Sequence, residues 1–164
     1  MWAFTWQEGE PIRVTNQNGE TFFYVTNHRG DAICIVDDNG TTVASYSYDP
    51  WGKVLSVSEN AEVAGQPIGY AGYYYDRETK LYYLQARYYD PETARFLSRD
   101  PYPGDLDHPI SQNGYTYANN NPVMFIDPNG EIAVLIPPAV LAAAIAVLGA
   151  GLVYYAIETL EAVW

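Results

Sequence analysis

The sequence predicts a mainly β fold, an antiparallel hairpin meander that forms a curled sheet, with one hydrophobic α-helix at the C-terminus. The first observation is composition: the 164 residues include 16 Tyr, 13 Gly and 11 Pro, which favour strands and turns. The second is a regular spacing of turn signals in the first third of the chain. The third is a run of 26 uncharged residues, Ile132–Ile157.

Residues 1–60 read as β-hairpins, because turn signals recur there at intervals of 11, 10 and 12 residues. The signals are Asn18-Gly19, Arg29-Gly30, Asn39-Gly40 and Trp51-Gly52. Between and after them lie short runs rich in β-branched and aromatic residues: TFFYVTN, AICIV, TTVASYSY and KVLSVS. Because such turns tolerate positive φ, the pattern predicts strands of about five to seven residues.

Residues 61–131 form a second block that is dense in tyrosine. The stretches YYYDRETKLYY and ARYYDPETARFLSRDP each read as strand, turn, strand, and YTYA and VMFI read as further strands among turns. We expect the tyrosine rings to pack in a thin sheet while their hydroxyls reach solvent or backbone. The alternative is an exposed aromatic row that binds carbohydrate.

Residues 132–164 behave differently, since the 19 residues 139–157 carry no charge and follow Pro137-Pro138, which suits a helix start. As a helix they would span roughly 28 Å, close to the hydrocarbon thickness of a bilayer. The segment therefore predicts a transmembrane helix. The alternative is a hydrophobic helix packed inside a soluble domain or a larger protein.

The charge balance bears on partners. Eight Lys and Arg against 20 Asp and Glu give a net charge of −12, which argues against nucleic acid because phosphate binding needs clustered cations. A basic partner or a bound cation fits better, and a solvated acidic surface is the simpler alternative. Cys34 stands alone, so no disulfide forms within the chain. The N-terminal sequence MWAFTWQEGE lacks the basic and apolar regions of a secretory signal.

Metal and cofactor sites are not predicted. His28 and His108 lie far apart and have no nearby cysteine or spaced carboxylates, which argues against zinc. The sequences DLDHP and VDDNG offer oxygen ligands, but neither reproduces an EF-hand loop, and solvated turns are the simpler interpretation. No phosphate-binding glycine loop is present either.

Two longer motifs carry a family resemblance. LYYLQARYYDPETARFLSRDP, followed by NGYTYANNNPVMFIDPNG, resembles the Rhs repeat-associated core domain of bacterial Rhs and YD-repeat polymorphic toxin proteins. Upstream, YVTNHRGDAICIVDDNGTTVASYSYDPWGKV is similar to one YD repeat, with Tyr48-Asp49 as the dipeptide. The resemblance covers about residues 20–130. It implies a β strip that winds into a hollow shell around a C-terminal toxin, with the core domain as a plug.

The resemblance also implies an active site, because many members of that family are aspartyl autoproteases that release the toxin just past a DPxGL sequence. The paired aspartates of the family match Asp100 and Asp127, and its supporting arginine matches Arg87. The cleavage motif matches Pro128, Gly130 and Glu131. We expect these residues to lie together in the fold.

The chemistry agrees with that assignment. Hydrolysis of a peptide bond by carboxylates needs two of them close together, so that one activates water while the other protonates the departing nitrogen. Against this, Asp-Pro occurs four times, at Asp49, Asp90, Asp100 and Asp127, and such pairs commonly open turns without any catalysis. Glu131 also stands where the autoproteolytic family has leucine, which predicts slow or absent cleavage.

Two functions follow as expectations. The first is a fragment of a toxin-delivery protein whose core plugs the shell, cleaves itself near DPNG and carries a membrane-active helix. The second is a non-catalytic interaction module that residues 139–157 anchor at the cell envelope. Either function predicts a longer Rhs chain as the partner, or self-association through strand edges, and a secreted, envelope or membrane location.

Overall fold

The computed structural model of the protein describes residues 1–136 apart from Glu8, Asp105 and His108. Twelve short strands make up the regular structure of these residues. The first six are β1 (Ala3–Gln7), β2 (Glu10–Thr15), β3 (Thr21–Thr26), β4 (Ala32–Val36), β5 (Thr42–Tyr48) and β6 (Val54–Glu59). The others are β7 (Tyr74–Asp76), β8 (Leu81–Tyr83), β9 (Tyr88–Asp90), β10 (Arg95–Phe96), β11 (Phe125–Ile126) and β12 (Val134–Leu135). Three short 3-10 turns lie at Tyr70–Gly72, Pro109–Gln112 and Ala118–Asn120.

Strands β1 to β6 form one antiparallel sheet in which each strand pairs with the next along the chain. Four of its turns share one design: an Asn or Asp whose side-chain oxygen accepts N–H bonds from the residues two and four positions later, and a glycine at positive φ three positions later. The pairs are Asn16 with Gly19, Asn27 with Gly30, Asp37 with Gly40 and Asp49 with Gly52. The repeated turn fixes the register of the meander.

The inner face of this sheet is covered by the connector that follows β6. Val63 and Ile68 of the connector pack against the buried strand residues. Gln66 is also buried there, and its amide is satisfied on both sides: it accepts from the Tyr24 hydroxyl at 2.6 Å and donates to the Tyr46 hydroxyl at 3.0 Å. The connector is therefore part of the core of the first sheet.

Strands β7 to β10 form a second antiparallel sheet, which packs on a cluster of fully buried tyrosines. Tyr70, Tyr82, Tyr89 and Tyr117 have no exposed surface. The expectation that hydroxyls reach backbone is confirmed for several of them: those of Tyr70, Tyr82 and Tyr89 donate to the carbonyls of Pro50, Gly52 and Trp51. The rings pack on one another in edge, tilted and stacked arrangements, with centroids 4.2 to 6.3 Å apart.

A buried ion pair, Arg29 with Asp31, links the turn before β4 to segments outside the first sheet. Arg29 donates to Asp31 at 2.6 Å from Nη2 and reaches the carbonyls of Pro50 and Pro122 at 3.3 Å each from Nη1. Its guanidinium lies over the ring of Tyr70, 4.5 Å from the centroid. Both carboxylate oxygens of Asp31 are therefore used, since Oδ1 also accepts the N–H of Ala71. The first sheet and the tyrosine block are in this way held as one packed unit.

The predicted mainly β, antiparallel fold is confirmed for the described residues, and several details differ. Strands β1 and β2 were not predicted. The predicted strand YTYA is wrong, because its residues make one isolated bridge, Arg95 with Thr116, and then enter a 3-10 turn. VMFI shortens to β11. The predicted helix over 139–157 lies outside the described residues, and none of the residues that the structure describes forms a helix long and apolar enough to cross a membrane.

Candidate functional site

Three residues that are distant in sequence meet at the ends of three strands. Arg87 precedes β9, Asp100 follows β10 and Asp127 follows β11. The Nη2 atom of Arg87 lies 2.9 Å from Oδ2 of Asp100 and 3.5 Å from Oδ2 of Asp127. One guanidinium nitrogen therefore bridges the two carboxylates, and the three residues that the sequence pointed to lie together.

Arg87 is the centre of this arrangement and is 4 % exposed. Its other N–H groups donate to backbone: Nε to the carbonyl of Gly130, and Nη1 to the carbonyl of Gly114 at 3.0 Å. The Cζ atom of the guanidinium lies over the ring of Phe96, 3.7 Å from the ring centroid. Because every side of the guanidinium has a partner, its orientation toward the carboxylates is fixed.

Asp127 is buried, and its two carboxylate oxygens have different tasks. Oδ2 faces Arg87, while Oδ1 accepts the N–H groups of Gly130 at 2.8 Å and Glu131 at 3.0 Å. Burial raises the pKa of the Asp127 carboxyl above its usual value, against the opposing effects of Arg87 and of the backbone N–H groups of Gly130, Glu131 and Ile132. A carboxyl of this kind is suited to hold and donate a proton.

The peptide group between Gly130 and Glu131 is held at both ends. Arg87 donates to its carbonyl oxygen, and Asp127 accepts from its N–H. Gly130 has a φ of +78°, and a Cβ there would lie 2.8 Å from the carbonyl oxygen of Leu84, so the turn requires glycine. The site thus grips the backbone of the DPNG turn itself.

The chain beyond the turn stays tied to the fold. Strand β12 pairs with β11, with Val134 opposite Ile126 and Leu135 opposite Phe125. Ile136 is buried, and its N–H donates to the carbonyl of Met124 at 2.8 Å. The backbone after the DPNG turn is therefore paired with the backbone before it, and both ends of the turn are fixed.

Asp100 is the more accessible of the two carboxyls, with 15 % of its side chain exposed against 3 % for Asp127. Its Oδ1 accepts the N–H of Tyr102 at 2.8 Å, and its own N–H donates to the carbonyl of Gly114. Water from solvent reaches Asp100 more readily than Asp127. The pair is therefore asymmetric, with one buried carboxyl and one at the edge.

The four Asp-Pro pairs divide into two kinds. Asp49 and Asp90 accept N–H groups from the residues two positions on and open hairpin turns. Asp100 accepts the N–H of Tyr102, also two positions on, whereas Asp127 accepts the N–H groups three and four positions on, and both carboxylates also meet at Arg87. The turn interpretation accounts for the first two aspartates but not for the shared guanidinium.

The cleavage-motif residues surround the gripped peptide group. Pro128 and Glu131 are exposed and Gly130 is buried. The Glu131 carboxylate accepts the side-chain amide of Asn129 at 3.0 Å. The charge at this position is therefore solvated, and no apolar pocket holds it.

Two contributors to the site were not predicted. Gly114 supplies a carbonyl to both Arg87 and Asp100, and Tyr73 bonds to the backbone of Asp127. Gly114 sits in NGYTYANNNP, where its role as a shared acceptor has no sequence signal. Tyr73 is one of sixteen tyrosines, and nothing in the local pattern separates it from the others.

Among the described residues no group of three or more His, Cys, Asp and Glu side chains is placed to hold a metal ion. Of the two acidic stretches, VDDNG uses Asp37 to accept the N–H groups of Asn39 and Thr41 in a hairpin turn. DLDHP includes Asp105 and His108, which lie outside the described residues.

The model of the teneurin YD-shell family matches residues 1–123 of this chain. Among curated proteins, tRNA3(Ser)-specific nuclease WapA of Bacillus spizizenii is 45% identical over 141 residues, which are 86% of this chain and 6% of that protein. Toxin protein Tse5 of Pseudomonas aeruginosa is 35% identical, over 85% of this chain and 10% of its own length. Double-stranded DNA deaminase toxin A of Burkholderia cenocepacia is 35% identical, over 66% of this chain and 7% of its own length.

Solved structures show the same likeness. TcdB2-TccC3 without its hypervariable C-terminal region matches with a TM-score of 0.67 and 28% identity, over 79% of this chain and 6% of that chain. The Photorhabdus luminescens Tc holotoxin pore matches with a TM-score of 0.67 and 25% identity, over 83% of this chain and 6% of that chain. The chain therefore spans about a tenth or less of the length of these relatives.

Proposed function

The chain belongs to the teneurin YD-shell family, and from that premise we propose that it is a fragment of a YD-repeat toxin-delivery protein, whose core plugs the β shell and cleaves itself beside the DPNG turn. The observation that carries the proposal is the meeting of Asp100 and Asp127 on Arg87, next to the gripped backbone of Gly130. In this account residues 1–60 are YD-repeat hairpins, 61–131 are the core domain and 132–164 are the segment that cleavage releases.

The relatives support a delivery role over an effector role. Their names give them different activities, a tRNA nuclease and a DNA deaminase among them, yet this chain matches each over a small share of its length. The structural likeness also holds for TccC3 without its hypervariable C-terminal region. A segment common to proteins with different activities is best explained as the shared carrier, inside a longer secreted chain.

The proposed chemistry uses the asymmetry of the two carboxyls. Asp100, at the solvent edge, takes a proton from a water molecule, and the oxygen of that water attacks the peptide carbonyl carbon. Asp127, with its raised pKa, gives a proton to the departing backbone nitrogen, and the bond between carbon and nitrogen breaks. Arg87 donates to the carbonyl oxygen of Gly130 and balances the charge of the pair. The cleaved peptide bond is the one between Gly130 and Glu131 or the one between Glu131 and Ile132, because Asp127 faces the N–H groups of Glu131 and Ile132.

A time course of the purified full chain, followed by gel electrophoresis and intact-mass analysis, tests this function. We expect two products, a β fragment that ends at residue 130 or 131 and a C-terminal fragment. Long incubation is needed, because the exposed Glu131 side chain does not anchor the turn in an apolar pocket and cleavage should be slow.

We propose that the released fragment enters membranes through residues 139–157, so it should float with lipid vesicles while the β fragment stays in buffer.

The matched control is the same chain kept unfolded in guanidinium, in which Arg87, Asp100 and Asp127 are dispersed. Self-cleavage should stop in that sample. A contaminating protease that survives guanidinium should cut the unfolded chain at least as fast as the folded one. A folded chain that remains one full-length species after long incubation would overturn the self-cleavage proposal.

A folded chain that stays whole would favour the alternative function, a non-catalytic interaction module held at the envelope by its tail. The observation in its favour is that the exposed Glu131 leaves the turn without the apolar anchor that the motif has in self-cleaving relatives of the Rhs type. In that case the guanidinium between two carboxylates serves only to join the core strands.

A further inference from the structure

The Tyr73 hydroxyl bonds to the backbone on both sides of the Asp127 α-carbon. It lies 2.9 Å from the Asp127 carbonyl oxygen and 3.1 Å from the Asp127 nitrogen. It is also 3.1 Å from the hydroxyl of Tyr117. Tyr73 is on a different part of the chain from β11, so the contact links two elements of the core across 54 residues.

Counting protons assigns the direction of each bond. A phenol has one proton to donate and two lone pairs that accept. The Tyr73 proton goes to the Asp127 carbonyl, because that oxygen only accepts, and one lone pair takes the Asp127 N–H. Tyr117 must then be the donor to Tyr73, and every bonding site of the Tyr73 hydroxyl is used.

We propose that Tyr73 is a positioning residue for the Asp127 carboxyl, holding the backbone at the one orientation in which Oδ1 meets the turn and Oδ2 meets Arg87. The inference deepens the proposed self-cleavage and rests on it. Nothing in the sequence pattern marks this tyrosine, and its hydroxyl does not touch the gripped peptide group.

The surroundings make Tyr73 a rigid support. Tyr73 is 5 % exposed, and its ring packs edge to face against Tyr70 and Tyr117, with centroids 5.9 Å and 6.4 Å away. Burial raises the pKa of both Tyr73 and Tyr117 far above the working range, so both hydroxyls keep their protons while the Asp127 carboxyl titrates. The support therefore does not change as the site gains or loses a proton.

The test compares Tyr73→Phe with Tyr82→Phe in the full chain. Tyr82 belongs to the same buried cluster, and its hydroxyl also donates to a backbone carbonyl, that of Gly52 at 2.8 Å, but it does not contact Asp127. Two quantities are measured: the self-cleavage rate, and the pKa of the Asp127 carboxyl from its ¹³C shift as pH is varied.

We expect Tyr73→Phe to slow cleavage at least about tenfold, because small misplacement of a reacting group is costly. The Asp127 pKa should rise further, since the N–H donors and Arg87 that lower it fit less well. Tyr82→Phe should keep the wild-type rate and pKa. Equal behaviour of the two variants would overturn the proposal.

The two readouts keep this inference separate from the proposed function. If the wild type does not cleave, the proposed function fails, and the ¹³C titration still decides whether Tyr73 positions the carboxyl. If the wild type cleaves and Tyr73→Phe cleaves equally fast with an unchanged Asp127 pKa, the proposed function stands and the role of Tyr73 is refuted.

Discussion

Replacing Arg87 with leucine is expected to destabilise the fold by about 3–5 kcal/mol, the usual cost of removing one partner from a buried ion pair. Asp100 and Asp127 would then face each other without a cation, and the carbonyls of Gly114 and Gly130 would lose their donor. Urea unfolding followed by tyrosine fluorescence measures the change.

Arg95→Leu is the matched control, because Arg95 is exposed and lies on the neighbouring strand β10. Its replacement should alter the free energy of unfolding by no more than about 0.5 kcal/mol. If the two variants unfold at similar urea concentrations, Arg87 does not join the core strands in the way that its contacts indicate.

Replacing either carboxyl of the pair by its amide, as Asp100→Asn or Asp127→Asn, should slow self-cleavage by at least about 100-fold. An asparagine keeps the local turn bonds, because its side-chain oxygen still accepts backbone N–H groups, but it neither takes nor gives the required proton. Rates are read from intact mass over time. Asp90→Asn is the control, since Asp90 opens a turn of similar chemistry away from Arg87, and it should cleave at the wild-type rate.

Asp127→Asn also carries a pH signature in stability. The folded-state pKa of Asp127 lies above its unfolded value near 3.8, so this group stabilises the fold fully below that value and loses the contribution as pH rises through the folded-state pKa. As pH rises over that interval, the unfolding free energy of the wild type should therefore fall relative to that of Asp127→Asn. Urea unfolding at several pH values checks it, and a shift in the opposite direction would mean that the pairing with Arg87 outweighs burial.

The hairpins of the first sheet were predictable because glycine at positive φ has a recognisable signal. Asn18-Gly19 and Asn39-Gly40 located their turns, and the fuller rule, an Asn or Asp three positions before the glycine, emerged only from the side-chain bonds. Strands β1 and β2 were missed because the sequence between them, QEGE, has no Asn-Gly pair.

The site was predictable to a different extent. Asp100, Asp127 and Arg87 were found through resemblance to a family, since Asp-Pro pairs by themselves do not separate Asp127 from Asp49. The asymmetry of the two carboxyls and the support from Tyr73 were not predictable, because burial and cross-chain bonds depend on how distant segments pack. YTYA was misread for the same reason: its alternation is that of a strand, but Tyr117 is needed in the tyrosine cluster.

If the two carboxyl groups and the guanidinium direct water onto the backbone of the DPNG turn, the oxygen of that water ends in the new C-terminus. Incubating the folded full chain in H₂¹⁸O and measuring the mass of the β fragment tests this proposal most directly. We expect one ¹⁸O atom in a new C-terminal carboxylate at Gly130 or Glu131. A β fragment that ends elsewhere, a new C-terminus without ¹⁸O, or a chain that stays whole would contradict it.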